Sequence, residues 1–530
     1  MTVKLPDRLN MATYFLDSNL EAGRGGKTAL VAKDRQGAVA EFSFDEVATL
    51  ANQTGNALRE LGVGPENRVL LAVGDGPEFV GGWFGALKIG AVVTAVNPLL
   101  PASDYAYYLD YTRAPVAICD EDSLPSFLSV LGGARHLRAL IVVGDAADGP
   151  TPENPAVSLV RHADAVGAAD AALTPYDTHK DDLAVWLFTS GTTGKPKGAV
   201  HFHQDFVFNA ETYAKQVLQL NENDRVMSVP RLYFGYGTGS TLMFPFAVGA
   251  TCIAFHEHPK AEAVIENVGR FKPTVLINVP TTIKKMLLAE DARAKHDLSS
   301  LRFMTSAGEA LPPETYRAWT EAYPGCEILD GIGSAEMFHV FISNRHGEVR
   351  PGTLGKLVPG YDARIVGPDE EDVAEGEVGT LWVGGDSAAL CYWNDREKSR
   401  STMRGNWIVT ADQFRKDEDG YFHYCGRADD MLKVGGIWVS PLEIEECLLG
   451  HESVKECAVI GFEEEGLMLP KAFVVPRDGQ AGDDELAATL LEHTRAHLAR
   501  YKSPRAIRFL DALPRNDRGK VQRNALRELS

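Results

Sequence analysis

The stretch Thr189-Ser190-Gly191-Thr192-Thr193-Gly194-Lys195-Pro196-Lys197-Gly198 decides how this chain is read. Hydroxyl side chains surround Gly191 and Gly194, and two lysines follow. Residues 183–188, LAVWLF, precede it and read as a buried strand. Glycines let successive backbone N–H groups turn toward an anion. Hydroxyl and ammonium groups add donors suited to phosphate. The segment is therefore expected to be a loop that grips a polyphosphate. It is not the P-loop G-x-x-x-x-G-K-[ST], because Thr189 stands where the first glycine is required and Pro196 follows Lys195. An ordinary surface turn has no use for so dense a set of donors.

The surrounding sequence alternates helices and apolar strands. Ser43 and Glu46 form a capping-box pattern. Val47, Leu50, Ala51, Thr54, Leu58 and Leu61 then recur at helical spacing, and Gly62 is a stop signal. Residues 69–73, 91–96, 115–118 and 139–143 each read as short, fully apolar strands. This alternation predicts layered α/β structure with largely parallel sheets. Residues 145–180, rich in Ala, Asp and Pro, read as a long surface excursion. The last hundred residues change character. Strands are expected at 456–462 and 472–475 and a helix at 484–500, which together make a compact α+β unit.

The chain has 530 residues, too many for a single core. Its formal charge of −20, without a basic block, argues against nucleic acid as a partner. No apolar run is long enough to span a membrane, and residues 1–15 show no secretory h-region. Seven cysteines without a C-x-x-C pair read as reduced thiols of a cytoplasmic protein. Cys447, His451 and Cys457 lie close in sequence but read as scattered residues of a helix and a strand.

The decisive loop resembles the phosphate loop of the adenylate-forming enzymes. These are the acyl- and aryl-CoA synthetases, luciferases and peptide-synthetase adenylation domains. The resemblance covers nearly the whole chain, and its details are most similar to the benzoate–CoA ligase group. It implies an α/β fold with a large N-terminal part of layered sheets, residues 1–425, and a small mobile α+β C-terminal domain, residues 431–530. The hinge between them is Gly426-Arg427-Ala428-Asp429-Asp430, with Asp429 as pivot.

The resemblance also assigns roles. Thr189, Ser190, Gly191, Thr192, Thr193, Gly194 and Lys197 would hold the phosphates of ATP. Ser306–Pro312 matches S-A-G-E-x-L-P, so Gly308, Glu309 and Ala310, with Asp330, Gly331, Ile332, Gly333 and Ser334, would hold the nucleotide. Glu336 matches the glutamate that binds Mg²⁺, although Ala335 replaces the usual threonine hydroxyl. Asp412, in a G-W-x-x-T-G-D-like segment where Ala411 replaces glycine, would accept from the ribose hydroxyls, and Arg427 would add a donor. Lys520, in P-x-x-x-x-G-K, would be the catalytic cation bridging the attacking carboxylate and the α-phosphate. Lys433, Gly435, Gly436 and Trp438 would line the CoA arm after the C-terminal domain rotates.

For the acid, the resemblance implicates Tyr233, Tyr236, Gly237, Ala307, Gly331, Ile332 and His339. Residues 231–240 contain no Asp or Glu, which argues against an amino-acid substrate. His339 matches the E-M-x-H of benzoate ligases. The expected reaction joins a benzoate-like acid to coenzyme A through an acyl adenylate, releasing AMP and pyrophosphate. Alternatives are an aminobenzoate or hydroxybenzoate ligase, an adenylation enzyme loading a carrier protein, and a degenerate nucleotide-binding protein. The expected partners are the aromatic acid, ATP and CoA, without nucleic acid or membrane. A homodimer is the assembly considered.

Overall fold

A computed structural model describes residues 3–144, 154–189, 195–428, 431–434, 437–464, 467–477, 479–515 and 521–529. The chain divides into two compact units, residues 1–362 with 383–408, and residues 363–382 with 409–530.

The larger unit holds two sheets. In the first, the strands Thr28–Lys33, Thr251–Phe255, Arg225–Ser228, Val275–Asn278, Phe303–Ser306 and Glu327–Gly333 run parallel in that spatial order. Antiparallel strands close both edges. Helices Ala261–Phe271, Pro280–Leu288 and Pro313–Ala322 cover one face, burying Val264, Ile265, Ile283, Met286 and Trp319 against Met227, Leu276, Met304 and Ile328. Strands buried on both faces read as continuous apolar runs, which is why the sequence shows them plainly.

The second sheet has a parallel core, Leu183–Thr189, Val92–Ala95, Arg68–Ala72, Val116–Cys119 and Ala139–Val142. Ser158–Arg161 extends it as a parallel edge strand, and the helix His162–Ala168 follows. Residues 158–168 are therefore part of the folded layers, where a surface excursion had been read. The strand is only half-buried, so its polar outer residues hid it. The capping box forms as expected. Ser43 Oγ accepts the Glu46 N–H at 3.3 Å, Glu46 Oε2 accepts the Ser43 N–H at 2.7 Å, and the helix runs Phe44–Glu60.

Topology places the motifs. Residues 231–237, 306–312 and 330–339 follow or end the parallel strands Arg225–Ser228, Phe303–Ser306 and Glu327–Gly333. In open parallel sheets, ligands sit at the carboxyl ends of the strands.

The smaller unit carries a three-stranded sheet of Val454–Glu464, Leu467–Pro476 and Ala506–Phe509. Val459 and Val474 pack with Ile444, Leu448 and Leu490, while Ile460 and Phe473 pack with Leu513 and Leu526. Both faces are covered, so Ala458-Val459-Ile460 reads as unbroken apolar sequence. No helix among the described residues is long and apolar enough to cross a membrane.

Candidate active site

The two arms of the glycine-rich loop are paired strands, with Thr189 opposite Lys197. Ser190, Gly191, Thr192, Thr193 and Gly194 lie outside the described residues. The returning arm is held by tyrosines of one helix, Ala102–Thr112. Tyr107 donates to the Pro196 carbonyl at 2.7 Å, and its ring faces the Lys195 ammonium. Tyr111 accepts the Gly198 N–H at 3.2 Å and donates to the Trp393 carbonyl at 2.6 Å. Lys197 pairs with Asp395 at 3.0 Å and sits over the Tyr392 ring.

Glu336 lies beside this strand pair. Tyr392 donates to its Oε1 at 2.5 Å, and the Ala389 N–H donates to its carbonyl at 2.7 Å. The preceding carbonyl, that of Ala335, is held by His201 Nε2 at 2.6 Å, while His201 Nδ1 meets Asp205 at 2.8 Å. His201 and Asp205 are fully buried. On the far side of the loop, Ser387 donates to the Met337 carbonyl at 2.9 Å and bonds Tyr361 at 2.7 Å. Four anchors from distant parts of the chain thus fix one acidic loop. The Glu336 carboxylate is a hard oxygen ligand of the kind that suits a divalent cation such as Mg²⁺.

The two nucleotide motifs meet by register, since Ser306 pairs with Asp330. Gly308 has φ +90°, and a Cβ built there would touch nothing within 4 Å, so its backbone faces open space. That combination admits a flat ring against the main chain. Glu309 is braced by Thr281 Oγ1 at 2.6 Å. Ala307 is buried and Ala310 exposed. Burial pushes the Asp330 carboxyl up to about 8. The Asp330 carbonyl accepts from the Asn344 N–H at 2.9 Å, which holds Gly331 and Ile332 in place beyond it. The buried Ser334 hydroxyl has no hydrogen-bond partner among the described residues.

The aromatic segment forms a tight bend that enters a helix at Gly235. A Cβ on Gly237 would lie 2.1 Å from the Arg231 carbonyl oxygen, so only glycine fits there. The bend is anchored by buried Asp75, whose Oδ1 accepts the Leu232 N–H at 2.9 Å and whose Oδ2 faces Arg231 at 3.5 Å. That carboxylate is committed to the scaffold. The absence of an acid in residues 231–240 therefore is not offset by Asp75.

His339 sits under Phe338, whose φ of +64° is rare for a bulky residue. The imidazole is buried among Tyr213, Tyr236, Phe244 and Phe338, with ring centroids 4.7–5.7 Å away. Ser240, in the wide π-type turn Thr238–Met243, meets its Nε2 at 2.9 Å. Burial holds the ring's pKa down to about 3, so it stays neutral at physiological pH. Its Nδ1 has no hydrogen-bond partner among the described residues. The Tyr236 hydroxyl bonds Thr305 at 2.8 Å, and Tyr233 packs on Phe234 at 4.7 Å. The outcome is a packed aromatic cluster around a neutral imidazole, with the hydroxyls of Ser240 and Tyr236 beside it.

In the smaller unit, Asp412 and Arg427 are opposite residues of paired strands, with Nε to Oδ1 at 3.4 Å. The strands Leu432–Val434 and Ile437–Val439 are antiparallel, with Lys433 and Trp438 as register partners along the backbone. Asp429, Gly435, Gly436 and Lys520, and the side chains of Lys433 and Trp438, lie outside the described residues.

Comparison with known proteins settles the lineage. Residues 18–393 match the AMP-binding enzyme family, and residues 443–520 match the AMP-binding enzyme C-terminal domain. The chain belongs to the AMP-binding enzyme family. A benzoate–CoA ligase of Thauera aromatica is 43% identical, over 99% of this chain and 97% of that protein. The crystal structure of the anthranilate CoA ligase AuaEII in complex with anthranoyl-AMP superposes with a TM-score of 0.91 at 40% identity, covering 99% and 98% of the two chains. A benzoate CoA ligase from Burkholderia xenovorans LB400 gives 0.86 at 40% identity, covering 98% and 100%. The adenylate-forming resemblance and the fold class expected from sequence both hold.

Within this AMP-binding enzyme, several supporting residues escaped the sequence reading. Tyr392, His201, Asp75 and Ser240 act through contacts 56 to 157 residues apart in sequence, and Asp205 acts through His201. Only His201, three residues beyond Gly198 in the strand Lys197–Phe202, carried a local hint.

Proposed function

We propose that this protein is an ATP-dependent aryl-acid–CoA ligase. The observation that carries the reading is the His339 cluster, a buried neutral imidazole packed among aromatic rings, three residues after Glu336 in the same anchored loop. Tyr236 and His339 touch each other, with ring centroids 5.4 Å apart, so an aryl acid would lay its ring beside this pair and not between its members.

Both reactants are anions, so the site must hold them together and offset their repulsion. Lys197 and the residues 189–194 bind the triphosphate. Gly308 to Ala310, with 330–332, hold the adenine, and Gly333 and Ser334 contact the nucleotide. Asp412 accepts from the ribose hydroxyls, and Arg427 supports it. Glu336, oriented by Tyr392, holds Mg²⁺, which when bound offsets negative charge on the phosphate oxygens. Lys520 supplies the cation for the attacking carboxylate. A carboxylate oxygen then bonds to the α-phosphorus as the bond to pyrophosphate breaks. In the second step the CoA thiol gives up its proton, sulfur bonds to the acyl carbon, and AMP leaves. Gly435 and Gly436 let the pantetheine arm pass close to the main chain.

A panel assay of acid-dependent pyrophosphate release tests the substrate class. Benzoate and its amino- and hydroxy-derivatives are expected to exceed acetate, fatty acids and amino acids in kcat/KM by roughly ten- to a few-hundred-fold. A panel led by fatty acids would remove the aryl-acid reading.

A further inference from the structure

The smaller unit holds a cluster that none of the chemistry above uses. His493 and His497 lie four residues apart on the helix Asp484–His497, hence on one face. The helix Pro441–Leu449 packs beside it and carries Cys447. One ligand atom from each of the three residues lies within 4.8 Å of the others. They line an open cavity of about 440 Å³, together with Glu443 and Glu446.

The hydrogen bonds around the two imidazoles prepare them. His493 Nε2–H donates to the Cys447 carbonyl at 3.0 Å, and His497 Nδ1–H donates to the His493 carbonyl at 2.8 Å. A carbonyl can only accept, so in each neutral ring the other nitrogen carries the lone pair. Metal-bound imidazoles are commonly oriented by such N–H bonds to backbone carbonyls. His451 packs 5.1 Å from His493 but takes the Ser453 N–H on its Nδ1, so its Nε2 bears the hydrogen. Cys457, nearer in sequence to Cys447 than either histidine, is not part of the cluster. It is buried and directs its Sγ to the Glu445 carbonyl at 3.4 Å.

We propose that Cys447, His493 and His497 form a binding site for a borderline divalent transition ion of the zinc class, with water as fourth ligand. One sulfur and two imidazole nitrogens match Zn²⁺ and mismatch Mg²⁺, which takes oxygen ligands. Binding forms a metal–sulfur bond and releases the thiol proton to solvent. The ion ties the end of one helix to its neighbour.

Titration of the full-length, metal-free protein with Co²⁺ tests this by its spectrum. A stoichiometric thiolate-to-cobalt charge-transfer band with intense tetrahedral d–d absorption is expected, and Zn²⁺ should displace it while Mg²⁺ should not. Cys447→Ser should abolish the charge-transfer band. His493→Gln and His497→Gln should each weaken Zn²⁺ binding at least about tenfold. Benzoate-dependent pyrophosphate release with Mg²⁺ should be unchanged in all three variants. Should Cys447→Ser fail to fold, the histidine variants decide by the same spectrum. The absence of a charge-transfer band, its persistence in folded Cys447→Ser, or unaltered Zn²⁺ affinity in both histidine variants would overturn the site.

Discussion

At the scale of single residues, charge decides what each group can do. Lys520 is a compact cation on a flexible stem, suited to follow a charge that develops during reaction. Lys520→Ala is expected to slow adenylate formation by about a hundredfold or more. It should leave thioester formation from presynthesised acyl adenylate largely intact. Stopped-flow measurement of each half-reaction separates the two, and equal losses would contradict the role. His339 acts as a neutral group. Its folded pKa of about 3 lies below the unfolded value near 6.5. The stabilisation it brings is complete above the unfolded value and is lost as pH falls from about 6.5 toward about 3. His339→Gln should therefore shallow the acid side of the stability–pH curve by up to about 1.4 kcal/mol per pH unit. His162 and His203, both lowered to about 4 by burial, keep part of that slope in the variant. Urea melts across the acid range would show it, and an unchanged slope would mean the ring is not buried neutral. The same variant should lower kcat/KM for benzoate roughly tenfold or more with little change in the KM for ATP.

At the scale of elements, the loop carrying Glu336 is built by partners from elsewhere in the chain. Tyr392→Phe removes the hydroxyl that orients the carboxylate. The variant should raise the Mg²⁺ concentration needed for half-maximal rate and lower kcat/KM for ATP by about tenfold, a loss of roughly 1.4 kcal/mol. KM for the acid should be unaffected, and a selective loss of acid binding would contradict this role for Tyr392. What the sequence disclosed follows the same division. The capping box at Ser43, the apolar strands and the motifs ending at Glu336 are local patterns, and each was legible. The half-buried edge strand Ser158–Arg161 has no such pattern, since one side faces solvent and its neighbours are polar. The roles of Asp75, His201 and Tyr392 were hidden for another reason: the groups they hold, at Arg231, Ala335 and Glu336, lie 156, 134 and 56 residues away along the chain. No window of sequence holds both halves of such a contact.

At the scale of the whole molecule, two half-reactions make different demands on one chain. The Gly426–Asp430 segment was read as the pivot by resemblance, and Asp429→Pro tests that assignment by fixing φ and removing an N–H. Adenylation should be partly kept and the CoA-dependent step mainly lost. A normal rate of thioester formation from bound adenylate would place the pivot elsewhere. The central claim is tested most directly by one quantified reaction: purified protein with MgATP and benzoate, assayed for products before and after CoA is added. The account predicts enzyme-bound benzoyl adenylate and at most stoichiometric pyrophosphate without CoA. With CoA it predicts steady turnover that yields benzoyl-CoA, AMP and pyrophosphate in equal amounts. ADP and phosphate as products, or turnover with no thioester formed, would contradict it.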